Sequence, residues 1–355
     1  YDPSSQAGSG RLELLQWLSS LGFDMDDLID ADRRLALGSL AGDRRLVPGE
    51  RRGRAAAVAR SGLSADRFDA LSVAFGFNAI HGAPAGEIGH TDAEIDALSA
   101  IAALGETFSD EEAEAFARVV GAALARLGEA AVSLFLADIE GPHLLAGADE
   151  HALAQKVFDG VALLDGFTAR LDPLYRRQVL QAIERTREAV IGETERLQYR
   201  FAVGFVDLVG FTPLSAEMPA RELADFLIEF EARANELAIE HRARVVKLIG
   251  DEVMFVATDA ANACAAGRAL IEGFGIDGVL PRGGLAYGDV LLRAGDYFGN
   301  VVNLASRLVD EAVPGELLAT EALADAAGPD RFEPAGRRQV KGFAAPVTVR
   351  SLRMT

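Results

Sequence analysis

The sequence predicts an α+β protein whose first half is all-helical and whose second half alternates strands with helices. Two observations support this division. From Arg11 to about Tyr199, apolar residues recur at helical three- and four-residue spacings, and no segment has convincing strand periodicity. After Phe201, short β-branched and aromatic runs are separated by amphipathic helical segments. A chain of 355 residues has room for two or three domains.

The first half, residues 11–177, is predicted to form one helical domain. Residues 1–10 are polar and rich in Gly and Ser, so we expect a flexible tail there. Helices are predicted in GRLELLQWLSSLGF, SDEEAEAFARVVGAALARLGEAAVSLFLADIE and DEHALAQKVFDGVALLDGF. The second begins with Ser109 and Glu112, a capping-box pattern. Its apolar stretch 119–137 carries two charges, and we predict a buried helix rather than a membrane span.

Residues 178–200 are predicted to form a helix that leads into the second domain. Its apolar stripe contains Val179, Ile183, Val190 and Leu197, the last three at seven-residue spacing. Either the helix packs on its own domain, or it pairs with its counterpart in a second subunit. The repeat is too short to decide between these two interpretations.

The second domain, residues 201–355, has the element order strand, helix, hairpin, helix, strand. This order is typical of a ferredoxin-like α/β sandwich with additions. The hairpin is predicted in RVVKLIGDEVMFVAT, where Gly250 and Asp251 form the turn. A further helix is predicted in GNVVNLASRLVDEA, and shorter strands in GELLAT, RRQVKGF and VTVRSL.

Composition and charge argue against a nucleic-acid partner. The formal net charge is −19, whereas a nucleic-acid binder normally carries a basic footprint. Residues 62–77 resemble a short helix-turn-helix, but they contain no basic cluster. The single cysteine, Cys264, fits a reducing compartment. Because no leader pattern is visible either, we expect a cytoplasmic protein without a transmembrane segment.

Two carboxylates are predicted to meet at one edge of the sheet. Asp207 interrupts the apolar strand FVDLV, and Asp251 lies in the hairpin turn. An ionised carboxylate in a buried strand is costly unless a cation pairs with it, and Mg²⁺ commonly binds one or two carboxylates plus substrate phosphates. Alternatively, Asp207 caps the following helix and Asp251 is an ordinary turn residue.

Two further groups point to a phosphate-bearing ligand. Gly210, Phe211 and Thr212 follow the first strand, where a small residue lets backbone N–H groups approach a phosphate. Asn303 and Arg307 stand four residues apart on one predicted helix face. Taken alone, such a pair is more often a solvated polar face.

Four segments together resemble the catalytic domain of the class III nucleotidyl cyclases. They are FVDLVGFT, KLIGDEVMF, GDYFGNVVNLASRL and VKGF, in the order and approximate spacing of that family. The resemblance covers about 155 residues at the C-terminal end of the chain. It implies an adenylate cyclase that converts ATP into cyclic AMP and pyrophosphate with two Mg²⁺ or Mn²⁺ ions in each active site.

The resemblance also implies a role for each matching residue. Asp207 and Asp251 would bind the metals, with the Leu208 carbonyl completing one shell. Lys247 and Asp296 would select the base, and Asn303 and Arg307 would stabilise the transition state. Phosphates would contact the loop of Gly210, Phe211 and Thr212, together with Lys341.

The chemistry of adenine supports the base assignment. Lys247 can donate to a ring nitrogen, and Asp296 can accept from the exocyclic amine, whereas guanine has the opposite polarity on that edge. Lys247 is also one of only three lysines among 35 basic residues, which argues against chance placement. ATP is therefore favoured over GTP. A guanylate cyclase, or a catalytically silent ATP sensor, is the alternative.

Because such sites are shared between subunits, the resemblance implies a homodimer with two equivalent sites. In some relatives the helical domain inhibits the catalytic part and responds to pH or lipid. Four histidines, His81, His90, His143 and His151, lie in that half, and histidine titrates between pH 5 and 8. An apolar ligand held between subunits is the other possibility.

Overall fold

The computed structural model describes residues 6–77, 89–141, 149–191, 198–274 and 279–354. The chain divides into two compact units, residues Tyr1–Tyr175 and Arg176–Thr355. The first unit is helical, and the second contains the β-sheet. The predicted succession of an all-helical region and an α/β region is confirmed.

The described elements of the first unit are helices joined by short loops. They are α1 (Gln6–Ser20), α2 (Met25–Arg33), α3 (Leu40–Leu46), α4 (Arg54–Ser61), α5 (Ala65–Ala74), α6 (Asp92–Ala102), α7 (Asp110–Phe135), α8 (Glu150–Ala162) and the start of α9 (Phe167–Ala189). Several begin at a side-chain cap; Ser109, for example, accepts a hydrogen bond from the Glu112 backbone N–H. Apolar faces meet in two small cores, one around Leu14 and Leu18 and the other around Phe68 and Leu71.

Two sequence predictions for this half are corrected by the helix bounds. Helix α1 begins at Gln6, so the tail predicted over residues 1–10 does not extend to residue 10. Residues 62–77 contain one helix, α5, capped by Ser64, and not a helix-turn-helix. Ser64 caps the start of α5, and residues 65–74 continue from it as one helix. The helix-turn-helix pattern in the sequence was therefore misleading.

The apolar stretch 119–137 is helical, but it is not buried within this chain. Only 6% of the most apolar window in Asp110–Ile139 is buried, and Leu124, Leu127 and Leu134 are all more than half exposed. The prediction of a buried helix is therefore wrong. By length and composition alone this helix could also cross a membrane, which is weak evidence for a span.

The connecting helix differs from its prediction at both ends. Helix α9 spans Phe167–Ala189, whereas the sequence predicted residues 178–200. It is followed by a short strand, β1 (Val190–Ile191), which pairs with the start of β2. Val179 and Ile183 lie on the helix, Val190 lies in β1, and Leu197 is outside the described residues. The predicted stripe therefore does not continue along one helix, because β-branched Val190 and Ile191 join the sheet instead.

Over its described residues, the second unit contains a mixed sheet of nine strands. After β1 they are β2 (Gln198–Val209), β3 (Arg244–Ile249), β4 (Glu252–Ala257), β5 (Leu280–Arg293), β6 (Asp296–Phe298), β7 (Leu317–Thr320), β8 (Phe332–Arg338) and β9 (Val347–Leu352). The main order is β3-β4-β2-β5-β7-β9-β8. Its first four strands are antiparallel neighbours, as in a ferredoxin-like sandwich, and the predicted fold is confirmed.

Helices cover both faces of the central strands. The unit also contains α10 (Phe211–Glu217), α11 (Ala220–Glu240), α12 (Ala260–Gly273), α13 (Asn300–Glu311) and α14 (Glu321–Ala327). Helices α11 and α12 pack on one face in the larger core. Helix α13 lies on the other, where a Cβ on Gly284 would come within 2.3 Å of the Ala305 carbonyl oxygen. Glycine at this position therefore lets α13 approach β5 closely.

The segment RRQVKGF is not the strand that its sequence predicted. Strand β8 begins earlier, at Phe332, and ends at Arg338. The following residues turn, with Gly342 at a φ of +89° and the Phe343 N–H donating to the Val340 carbonyl. A positive φ favours glycine and interrupts an extended strand, which explains the difference.

Candidate active site

Three charged side chains lie in one row near the ends of three neighbouring strands. Asp207 on β2 is directly opposite Glu252 on β4 and Arg282 on β5. Directly opposed residues of antiparallel strands place their side chains on the same face. Asp251 lies in the adjacent β3–β4 turn, after Gly250 with a φ of +66°. We call these four residues, Asp207, Asp251, Glu252 and Arg282, the acidic corner.

The acidic corner carries more negative charge than its single guanidinium can neutralise. Arg282 contacts Asp207 Oδ2 through Nη2 at 3.3 Å and Nε at 3.4 Å. Burial raises the pKa of Asp251, and the charge of Asp207 raises it further. Burial and repulsion from Asp207, Asp310 and Asp251 raise the pKa of Glu252 to about 7, although Arg282 opposes this shift. The corner is therefore short of positive charge.

This donor set suits a divalent cation that is also bound by a substrate. Within the described ranges, no three acidic, histidine or cysteine side chains form a group that could hold an ion. Asp207 and Asp251 could supply two carboxylates, and Leu208, which has an apolar and buried side chain, could supply only its backbone carbonyl. Mg²⁺ and Mn²⁺ accept such oxygen ligands when phosphates complete the shell.

The loop after the acidic corner has the geometry expected of a tight strand-to-helix turn. Gly210 has a φ of +91° and directly precedes α10. Phe211 is buried and stacks on Phe226, with ring centroids 4.9 Å apart. Thr212 is exposed. The side chain of Phe211 is thus a core residue, and a contact between this position and a ligand would have to use its backbone.

Lys247 and Asp296 form a second charged group. Lys247 Nζ lies 2.5 Å from Asp296 Oδ2, across 49 residues of sequence. The Tyr297 backbone N–H donates to Asp296 Oδ1 at 2.8 Å, which fixes the carboxylate. The two side chains remain 40% and 29% exposed, so a ligand can reach them. The structure brings this predicted pair into direct contact.

Asn303 and Arg307 lie on the exposed face of α13, one turn apart. Arg307 Nη1 is 3.7 Å from Asp310 Oδ2 on the same helix. An exposed ion pair of this length contributes little, so Arg307 can leave it readily. Lys341 is exposed in the turn after β8. Among the described residues, no hydrogen bond or ion pair joins Asn303 or Lys341 to the acidic corner.

Sequence reasoning did not identify Glu252 or Arg282. Each carries a charge at an end of an otherwise apolar strand, in GDEVMF and PRGGLA. That position was the only available signal, because cross-strand register decides whether such residues face Asp207.

The histidines of the first unit occupy different surroundings. His90 is buried, and its ring lies 5.2 Å from that of Phe68. His151 Nδ1 lies 3.6 Å from a carboxylate oxygen of Glu13, and its ring is 5.7 Å from that of Trp17. His81 and His143 are outside the described residues.

Sequence comparisons place the chain among known proteins. An adenylate cyclase of Streptomyces griseus is 34% identical over 295 residues, which cover 82% of this chain and 70% of that protein. An uncharacterised protein of Mycobacterium tuberculosis is 35% identical over 352 residues, 98% of this chain and 90% of its own length. A pH-sensitive adenylate cyclase of M. tuberculosis is 38% identical over 153 residues, 41% of this chain and 38% of that protein.

Solved structures and family models add little to these relatives. The adenylyl cyclase CyaB of Pseudomonas aeruginosa has a TM-score of 0.41 and 26% identity, covering 44% of this chain and 95% of its own. The guanylyl cyclase Cya2 has a TM-score of 0.38 and 20% identity, over 44% and 92% of the two chains. No protein-family model matches. On its sequence relatives, the chain belongs to the class III adenylate cyclase family.

Proposed function

We propose that this chain converts ATP into 3′,5′-cyclic AMP and pyrophosphate at sites shared by two copies of the chain. The contact between Lys247 and Asp296 supports this most directly. It places one hydrogen-bond donor beside one acceptor, which matches the ring nitrogen and exocyclic amine of adenine. Guanine would leave both groups without a suitable partner, and a site of this kind rejects such an analogue strongly.

The remaining residues are proposed to hold the triphosphate and stabilise the transition state. In the reaction the ribose 3′ hydroxyl attacks the α-phosphate, a new P–O bond forms, and the bond to pyrophosphate breaks. Arg307 and Asn303 would donate to the α-phosphate oxygens as charge develops there. Lys341 and the backbone N–H groups of Gly210, Phe211 and Thr212 would hold the other phosphates.

Asp207 and Asp251 are the residues proposed to hold two divalent cations, with the Leu208 carbonyl as a further ligand. When bound, the cations would lower the pKa of the 3′ hydroxyl and neutralise the triphosphate. The shortage of positive charge in the acidic corner supports this assignment. The same carboxylate and carbonyl oxygens are suitable ligands for Mg²⁺ and for Mn²⁺.

A homodimer is proposed because adenine and the metal-bound phosphates lie at opposite ends of ATP. Lys247 on β3 and Asp251 in the turn that follows it are only four residues apart. One protomer would give the acidic corner, and its partner would give Lys247, Asp296, Asn303 and Arg307. The two-fold symmetry then makes two equivalent sites.

The helical unit is proposed to regulate the reaction through α9. The last turns of this helix belong to the second unit, where Ala189 is buried in the sheet core and Glu188 accepts from Thr258 Oγ1 at 3.0 Å. A shift of α9 would therefore reach the sheet that carries the site. A pH effector is one proposal, since a relative is named pH-sensitive and His151 lies beside Glu13. A lipid bound by the exposed apolar face of α7 is the other.

Two alternative functions remain weaker. A guanylate cyclase does not suit the Lys247–Asp296 pair, for the reason given above. A silent ATP sensor does not explain why Asp207, Asp251 and Arg307 are all present. We place the enzyme in the cytoplasm, where a free cysteine such as Cys264 stays reduced.

The test is to incubate the full-length protein with ATP or GTP and either Mg²⁺ or Mn²⁺, and to identify the product by mass spectrometry. The proposal predicts cyclic AMP from ATP, much less cyclic GMP from GTP, and no product without a divalent cation. Cyclic GMP as the main product would support the guanylate alternative, and no product under any condition would support the silent sensor.

A further inference from the structure

Arg282 makes contacts that the proposed reaction does not account for. Its guanidinium lies between the Asp207 carboxylate and the C-terminal end of α13. Besides Asp207, Nη1 donates to the Asp310 and Ala312 carbonyl oxygens, each at 3.4 Å. The side chains of Arg282 and Asp207 are 24% and 23% exposed, so the pair is only partly open to solvent.

The geometry of these contacts is loose. Charge-assisted N–H···O bonds are normally about 2.7–2.9 Å long, whereas all four contacts of Arg282 are 3.3–3.4 Å. The guanidinium is thus divided among three acceptors and bound tightly to none. The two helix carbonyls carry the negative end of the α13 dipole, so they would keep attracting Arg282 if Asp207 were occupied by another cation.

We propose that Arg282 is the resident counter-ion of Asp207, which a divalent cation must displace from that carboxylate on binding. This inference rests on the proposed metal site at Asp207. In the metal-free protein Arg282 offsets part of the charge that Asp207, Asp251 and Glu252 concentrate in one place. When a divalent cation takes over this role, the guanidinium stays attached to the end of α13, because its two carbonyl acceptors do not change.

The proposal predicts that Arg282 weakens metal binding in the absence of nucleotide. A positive charge next to Asp207 repels an incoming cation, so its removal strengthens binding. Because the pair is partly exposed, we expect removal of this charge to lower the Mn²⁺ dissociation constant by roughly 5- to 30-fold. A lysine at this position keeps the charge but cannot make the same set of hydrogen bonds, so it separates charge from capping of α13.

The experiment measures Mn²⁺ binding to the full-length, nucleotide-free protein by the electron paramagnetic resonance signal of free Mn²⁺. The variants are Arg282→Gln, Arg282→Lys and Asp207→Asn. We expect Arg282→Gln to bind roughly 5- to 30-fold more tightly, Arg282→Lys to stay within about threefold of the unmodified protein, and Asp207→Asn to lose the site. Circular dichroism shows whether each variant is folded.

A second measurement uses the unmodified protein and does not depend on the folding of a variant. The Arg282 Nε–H resonance is followed by ¹H–¹⁵N NMR during a Mg²⁺ titration. The proposal expects it to shift and to saturate together with binding. A resonance that does not respond to bound Mg²⁺ would overturn the proposal.

The outcomes separate this inference from the proposed function. If Asp207→Asn loses Mn²⁺ while Arg282→Gln binds no more tightly than the unmodified protein, the metal site stands and the counter-ion role is refuted. If Arg282→Lys binds as tightly as Arg282→Gln, the effect comes from the lost cap and not from charge, which also refutes it. If Asp207→Asn leaves Mn²⁺ binding unchanged, the metal site and the counter-ion role fail together.

Discussion

The acidic corner and the Lys247–Asp296 pair both hold partly buried charges, but they differ in how far those charges are neutralised within the chain. In the pair, one cation meets one carboxylate at 2.5 Å, so the charges balance within the chain. In the corner, one guanidinium contacts the Asp207 carboxylate at 3.3 Å, two further carboxylates lie nearby, and the pKa of Glu252 rises to about 7. The pair joins β3 to β6, and the side chains of the corner lie on β2, β4 and β5 and in the β3–β4 turn of the same sheet.

The difference indicates what each group requires from a ligand. A balanced pair offers directional hydrogen bonds, and it suits a neutral heterocycle whose donors and acceptors match. An unbalanced corner offers net charge, and it suits a cation. Fold alone does not distinguish the two, since strands of one sheet carry both groups; the local count of charges does.

The largest expected effect comes from removing charge from the corner. Asp207→Asn keeps the shape of the side chain but weakens the proposed metal site, so we expect cyclic AMP formation to fall by about 1000-fold or more. The rate is measured by chromatography of the product. Asp289→Asn is the matched control, because Asp289 lies on β5 but pairs with exposed Arg200; it should change the rate less than about twofold. A loss of less than about tenfold in Asp207→Asn would contradict a metal role.

A smaller effect is expected when the balanced pair is altered. Lys247→Gln and Asp296→Asn each leave one hydrogen bond to adenine unmade or mispaired, so the preference for ATP over GTP in kcat/KM should fall by roughly 10- to 100-fold. The two substrates are compared in parallel assays. Lys156→Gln, at an exposed position on α8, serves as the control. An unchanged preference in both variants would show that the pair does not read the base.

The smallest effect concerns the stability of the metal-free protein. Because the pKa of Glu252 is raised from 4.5 to about 7, the unfolded chain loses this proton before the folded one does, and stability falls as pH rises from about 4.5 to about 7. Glu252→Gln removes this loss. With EDTA at pH 8, the variant should be more stable by about 1 kcal/mol after allowance for partial exposure, or about 2–4 °C in Tm.

The comparison at pH 4 is the control for that prediction. Both proteins are uncharged at position 252 there, so their Tm values should differ little from each other. A difference of the same size at pH 4 and pH 8 would show that packing, and not charge, distinguishes glutamine from glutamate. Calorimetry at both pH values makes the measurement.

Much of the second unit could be predicted because its signals are local. The apolar strand around Asp207, the Gly250-Asp251 turn and the amphipathic helix carrying Asn303 and Arg307 all have strong periodicity or turn chemistry. Lys341 was placed in a strand by mistake, because the positive φ of Gly342 is not visible in an alternating sequence. The end of α9 was misplaced for a related reason: pairing of Val190 with Tyr199 overrides a continuing helical pattern.

Residues whose role depends on register could not be predicted in the same way. Glu252 and Arg282 face Asp207 only because β4 and β5 flank β2 in one alignment. A shift by one residue would send both side chains to the other face of the sheet. The exposure of α7 was missed because an Ala- and Leu-rich helix has the composition of a core helix whether or not a partner covers it.

The most direct test of the shared site mixes two inactive variants. Asp207→Asn damages the corner of each protomer, and Arg307→Ala damages the helix residue that we assign to the partner's site. In a mixed dimer one site would carry both defects and the other none, so the purified mixed dimers should recover about half of the unmodified activity. The account predicts this recovery after the variants are co-expressed and purified together by two different tags. A mixture as inactive as either variant alone, with mixed dimers present, would contradict it.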